Sequence, residues 1–430
     1  MLRSLLLPLV FLLAGCGGEA DDGVVTIEFW AMGREGEVVQ ELIPDFEREH
    51  PGIRVEVQQL PWTSAHEKLL TAFAGRSTPD LCQLGNTWVP EMEALGAIEN
   101  LSPWVAQSEV IEQADYFPGI WDTNVLGGAS YGVPWYVDTR LLFYRSDILQ
   151  AAGYDAVPDD WAGWLEAMRA VRANAGPEQY AVLLPLNEFE PLLILGLQSG
   201  DLLRDGNRYG AFSKPGFRRA FQLYVDLFEE GLAPPVTGAQ ISNVWQEFEN
   251  GYFTFYVTGP WNIGEFRRRL SPEMDGKWMT APMPGPDGPG VSVAGGASLA
   301  IFERSEHKAE AWAFVEYLSR PDIQVRFHEI TGNLPARESA WADPVLAEND
   351  YAAAFRDQLR RVRPTPKIPE QERIAQKIRE YAEFAASGRL TVDEALAGLD
   401  RDVDRILDKR RWLLDQQQEA RREAVPEAAP

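Results

Sequence analysis

Carboxylates are the most plentiful reactive side chains in this chain, 65 Asp and Glu in 430 residues. Two of them facing each other across a cleft suffice for glycoside hydrolysis. Asn187-Glu-Phe-Glu190 offers the most suggestive pair, Glu188 and Glu190, because alternate residues of an extended segment point to one side. A spacing of two is also common by chance. Other reactive groups form no constellation. The four histidines, His50, His66, His307 and His328, lack metal-ligand spacing and join no cysteine pair, so neither a metal centre nor a catalytic histidine is expected. Gly296-Ala-Ser-Leu-Ala300 approaches a nucleophile elbow but ends in Ala where Gly is needed, with Ser298 inside an apparent strand. The phosphate-cradling GxxxxGK[ST] pattern is absent, as is GxGxxG after a strand, so no cofactor is expected.

Aromatic residues are placed more tellingly. Of 14 tryptophans, Trp30 ends a strand-like run, Trp62 follows Pro61, and Trp88 follows Asn86-Thr87. Trp135 and Tyr136 lie in GVPWYVD, and Trp261 stands directly after Gly259-Pro260. Open α/β sheets bind ligands beyond the carboxyl ends of their strands, so aromatics at strand ends mark a candidate site. A pyranose presents an apolar C–H face and a rim of hydroxyls. It is matched by flat aromatic platforms and by planar polar groups that donate and accept together. Any one indole packs in a core as readily as it faces a ligand; five or six at strand ends weigh toward a site.

These residues need a frame. From Val24 onward, runs such as VTIEFW, IRVEV and DLCQL read as strands, separated by segments with apolar residues at helical spacing. That alternation predicts an α/β fold with a largely parallel sheet. In SAHEKLLTAFAG, Ser64 is the expected N-cap; in the later TVDEALAGLDRDVDRIL it is Thr391. The length favours two domains. The net charge of −25 repels phosphate backbones, so no nucleic-acid partner is expected.

The opening residues carry Arg3, an apolar run from Leu5 to Leu13, then small residues and Cys16. That order fits an export signal, and Leu13-Ala14-Gly15-Cys16 resembles the bacterial lipobox, with residues 1–16 as signal, Cys16 lipidated and residues 17–23 as a tether. Cys82 is then left alone in the apolar LCQLG and reads as a buried, inert thiol. The polar segment 416–430 is expected to be a disordered tail.

Several stretches resemble the extracellular solute-binding proteins of sugar ABC transporters, the maltose and multiple-sugar-binding family. They are EKLLTAFAGRSTPDLCQLGNTWVPEMEALGAIENL, YGVPWYVDTRLLFYRSDIL, FENGYFTFYVTGPWNIGEFR, and AGGASLAIFERSEHKAEAWAFVEYLSRPD with TGNLPARESAW. The resemblance implies two discontinuous α/β lobes of the type II periplasmic-binding-protein kind, 24–137 plus 297–333 and 138–296 plus 334–415, closing on a carbohydrate. Crossings are expected near Tyr136 to Thr139, Gly295 to Ala297 and Asn333 to Arg337. It further implies a non-enzymatic, monomeric protein held at a bacterial membrane by its lipid and delivering sugar to a separate permease. As site residues it implies Trp30 and Trp261 as platforms, with Trp88, and Asn86, Asp138 and Arg337 as hydroxyl partners. Gly295 and Gly296 would admit close backbone approach. Position alone adds Trp62, Tyr136 and Glu188. The competing expectations are an exported glycosidase using Glu188 or Glu190, and a binding protein for a polyamine or a glycerol phosphodiester.

Overall fold

The computed structural model describes residues 23–424; Cys16, the signal segment, most of the tether and residues 425–430 lie outside the described residues. Two sheets organise the chain. A six-stranded sheet has the order 334–335, 133–138, 295–301, 81–85, 25–32, 53–60. A four-stranded sheet has the order 278–281, 141–145, 253–258, 180–183. In the first, Val25–Met32 runs parallel to Ile53–Leu60 along its whole length and parallel to Leu81–Gly85. This is the pairing that strands joined by crossover helices must adopt. Gly295–Ile301 then enters antiparallel between Leu81–Gly85 and Val133–Asp138, so the sheet is mixed where the sequence pattern predicts a largely parallel one.

The chain changes sheet between Asp138 and Leu141 and again between Val293 and Gly295. The expected change at 334 falls later, because Leu334 and Pro335 pair with Val137 and Tyr136 in the six-stranded sheet. The segment expected to be a disordered tail from 416 instead begins inside the helix Asp408–Ala424.

Local chemistry accounts for most element ends. Thr391 accepts from the Glu394 N–H at 3.3 Å while the Glu394 carboxylate accepts from the Thr391 N–H at 2.9 Å, a reciprocal cap on the helix Val392–Ile406. The helix expected to start at Ser64 runs Trp62–Gly75, with extended Pro61 before it, so Trp62 opens the helix. Fully buried Cys82 lies in the strand Leu81–Gly85, and burial pushes its thiol pKa up, which keeps it inert. Among the described residues no helix is long and apolar enough to cross a membrane.

Candidate functional site

Three strand ends place three indoles. Leu60 leads through Pro61 into Trp62, Gly85 through Asn86 and Thr87 into Trp88, and Thr258 through Gly259 and Pro260 into Trp261, the first residue of the helix Trp261–Arg269. A strand delivers its last residues to one edge of its sheet, so these side chains reach the space beyond the carboxyl ends. There they line a cleft of about 510 Å³, within the range of small-molecule sites. Trp62 and Trp261 remain 38 % and 36 % exposed, unusual for indoles in a well-packed protein. Trp62 and Trp88 meet edge to face at 5.6 Å.

The polar lining comes from both halves. Asn86 is buried, and its Oδ1 accepts from Ser298 Oγ at 3.0 Å. Ser298, the near-elbow serine, is thus a fully buried strand residue. The Asn86 Nδ2 finds no acceptor among the described residues, and neither does the buried Gln371 Oε1 find a donor. A buried polar atom left without a partner is costly, and these two belong to residues that line the cleft. Tyr136 also lines the cleft, its phenol oxygen accepting from Gln83 Nε2 at 2.9 Å, and burial holds its pKa well above the ordinary value. Glu35 accepts from Asn333 Nδ2 at 2.7 Å, and Glu372 accepts from Thr87 Oγ1 at 2.6 Å.

At the crossing between the sheets, Asp138 accepts from Arg140 Nη1 at 2.6 Å, and Arg140 Nη2 lies 3.5 Å from Glu190 Oε1. Burial pushes the Asp138 carboxyl up, with Arg140 opposing. Burial also works against the charge of Arg140, yet Asp138, Glu190 and Glu188 outweigh it and raise the guanidinium pKa. Gly295 and Gly296 sit against this crossing. A Cβ on Gly295 would fall 2.2 Å from the Asp138 carbonyl oxygen, and one on Gly296, at φ +126°, 2.3 Å from that of Tyr136. The two glycines line the cleft and let neighbouring backbones touch.

Of the residues singled out from sequence, Trp62, Asn86, Trp88, Tyr136, Asp138, Trp261, Gly295 and Gly296 share this cleft. Three do not. Trp30 is an interior strand residue whose indole points under the helix Trp62–Gly75, packed with Leu69 and Ala72 at 7 % exposure. Lys68 Nζ lies 4.8 Å from its ring centroid. Arg337 is buried away from the cleft lining, and its guanidinium is engaged by Asp115 at 2.6 Å and the Val110 carbonyl at 2.6 Å. Glu188 lies in a turn outside the cleft lining, where burial and the neighbouring Glu190 raise its pKa to about 7. Because residues 187–190 turn into the helix Glu190–Gln198, the alternation expected of an extended segment does not hold, and only Glu190 reaches the cleft.

Sequence reasoning passed over Glu35, Thr87, Arg140, Phe189, Asn333, Gln371 and Glu372. Arg140 could have been found, two residues past Asp138 at the expected crossing. Gln371 and Glu372 carried no signal, since they open a helix whose mixed charges read as a solvated face.

The sequence profile of the bacterial extracellular solute-binding proteins matches residues 31–325. Among solved structures, the sugar-binding protein MalE from Xanthomonas citri is 53 % identical, covering 91 % of this chain and 100 % of its own, with a TM-score of 0.89. The GacH receptor of Streptomyces glaucescens, solved unliganded and with acarbose, is 26 % identical over 89 % and 98 % of the two chains, TM-score 0.77. An uncharacterised lipoprotein of Streptomyces antibioticus is 28 % identical over 87 % of this chain and 83 % of its own.

Proposed function

The chain belongs to the bacterial extracellular solute-binding protein family, and from that membership and the cleft we propose that it captures a mono- or oligosaccharide for an ABC importer. The observation that carries the reading is the pairing of exposed indoles, Trp62 and Trp261, with an orphaned amide donor on Asn86 and an orphaned amide acceptor on Gln371. A sugar hydroxyl both donates and accepts, and a pyranose face stacks on an indole. The sugar-binding character of the Xanthomonas relative, at 53 % identity, points the same way.

Binding proceeds without catalysis. The pair singled out for hydrolysis, Glu188 and Glu190, does not share the cleft, since only Glu190 lines it, and Glu190 faces Arg140. A glycerol phosphodiester would want free cations, and Arg140 is taken by two carboxylates. A polyamine would want carboxylates free of a cation, whereas Asp138 and Glu190 share Arg140. A thermal-shift panel decides among them, since a ligand that binds only the native state raises the melting temperature. Saccharides should raise it. A rise with spermidine or glycerophosphocholine alone would overturn the reading.

Cys16 carries the lipid that holds the monomeric protein at the membrane, and the loaded form docks on a separate permease. Cys16→Ser should move the protein from the membrane fraction into the soluble one; no change would remove the anchor.

A further inference from the structure

We propose that Arg140 is the positioning residue of the cleft, one guanidinium that aims the carboxylates of Asp138 and Glu190 and backs the indole of Trp261, and whose charge offsets part of the acidic lining, so that a cationic sugar gains less over an uncharged one. The proposal rests on the saccharide reading above and says which residue sets its specificity.

Arg140 occupies the short link between the strands Val133–Asp138 and Leu141–Arg145, where the chain passes from one sheet to the other. Its carbonyl accepts from Ser292 Oγ at 2.6 Å, which ties it to the second link. From that fixed base the side chain reaches three groups. Nη1 donates to Asp138 Oδ1 at 2.6 Å, Nη2 approaches Glu190 Oε1 at 3.5 Å, and Cζ stands 4.4 Å from the Trp261 ring centroid. All four residues line the cleft. A planar guanidinium can fork between carboxylates and lie on an aromatic face at once, which a lysine ammonium cannot.

The surroundings are built for this stack. A Cβ on Gly259 would fall 2.0 Å from the Trp261 ring and 2.7 Å from Arg140 Nη1, so glycine leaves the space that indole and guanidinium fill. The charged groups facing Arg140 are Asp138, Glu190 and Glu188, all carboxylates. With Arg140 present their combined field is partly cancelled. Without it, a cleft that also holds Glu35 and Glu372 would draw in a cation.

Calorimetric titration of the full-length protein with maltose, trehalose, lactose and cellobiose identifies the tightest neutral probe, which is then compared with its 2-amino-2-deoxy analogue. Arg140→Gln should weaken the neutral disaccharide about tenfold and shift the amine-to-neutral affinity ratio about tenfold toward the amine. Arg140→Lys should keep the native ratio within about twofold while still losing neutral affinity, because the flat stack is gone. Glu190→Gln should move the ratio the other way. A purely structural role would weaken both probes equally. An unchanged ratio in Arg140→Gln overturns the assignment. Should that variant not fold, native neutral affinity in Arg140→Lys, or a native ratio in Glu190→Gln, overturns it instead. If neither these disaccharides nor any other mono- or oligosaccharide of the thermal-shift panel binds the native protein, the saccharide reading fails, a different result from binding that ignores Arg140.

Discussion

The hydroxyl of Thr87 donates to Glu372 Oε1 at 2.6 Å, joining residues 285 apart in sequence. Thr87 follows a strand of the six-stranded sheet, and Glu372 lies in the first turn of the helix Gln371–Ala386, packed on the other half. A hydrogen bond that spans the two halves holds them together, so in a protein that closes on its ligand it favours the closed arrangement. Thr87→Val should weaken sugar binding by about 0.5 to 1.5 kcal/mol, the net worth of one such bond, chiefly through faster release. Stopped-flow dissociation checks this; an unchanged off-rate would mean that the bond plays no part in closure.

Two tryptophans that look alike in sequence should behave oppositely. Trp261→Ala removes an exposed platform and should cost roughly 1 to 3 kcal/mol of sugar affinity with little change in stability. Trp30→Ala empties a packed interior position and should cost about 3 to 5 kcal/mol of stability. Calorimetry and denaturant unfolding on both variants separate the outcomes. Loss of affinity in a stably folded Trp30→Ala would put Trp30 back at the site.

Arg337 is a structural cation. Its guanidinium joins Asp115 to the carbonyls of Val110 and Ser319, and the Ser339 hydroxyl donates to the same Asp115 carboxylate. Arg337→Ala leaves Asp115 without its cation and should destabilise by about 3 to 5 kcal/mol. Sugar affinity measured well below the melting temperature should stay native.

Glu188 makes stability depend on pH. Its pKa rises from an ordinary 4.5 to about 7, through burial first and Glu190 second. The native state therefore holds a proton that the unfolded chain has already released between these values. The contribution of this group is complete below 4.5 and is lost as pH rises through about 7. Glu188→Gln should remove that dependence, raising the melting temperature at pH 8 relative to pH 5 by a few degrees compared with the native protein. An identical pH profile in the variant would show that Glu188 is ionised throughout.

What was legible in the sequence is what depends on near neighbours. Strand-end indoles at 62, 88 and 261 follow from runs of strand residues broken by Pro, Asn or Gly-Pro. The Thr391 cap needs only the Glu three residues on. The first crossing came from the family resemblance of YGVPWYVDTRLLFYRSDIL and not from its local pattern. The α/β class follows from periodicity, because burying one face of each element imposes a spacing that the chain must carry.

Partner choice across long separations was decided by the tertiary structure alone. Trp30 and Trp261 both stand near strand ends, but pleat and packing turned one under a helix and the other toward the cleft. Arg337 met Asp115, 222 residues away, before any ligand could claim it. Gln371 and Glu372, unremarkable at the head of a charged helix, became cleft lining because that helix closes against the end of a strand in the opposite sheet. A sequence fixes the period of each element, and hence its buried face. Which charges and amides those faces bring together depends on how separate elements pack, and no local pattern encodes that.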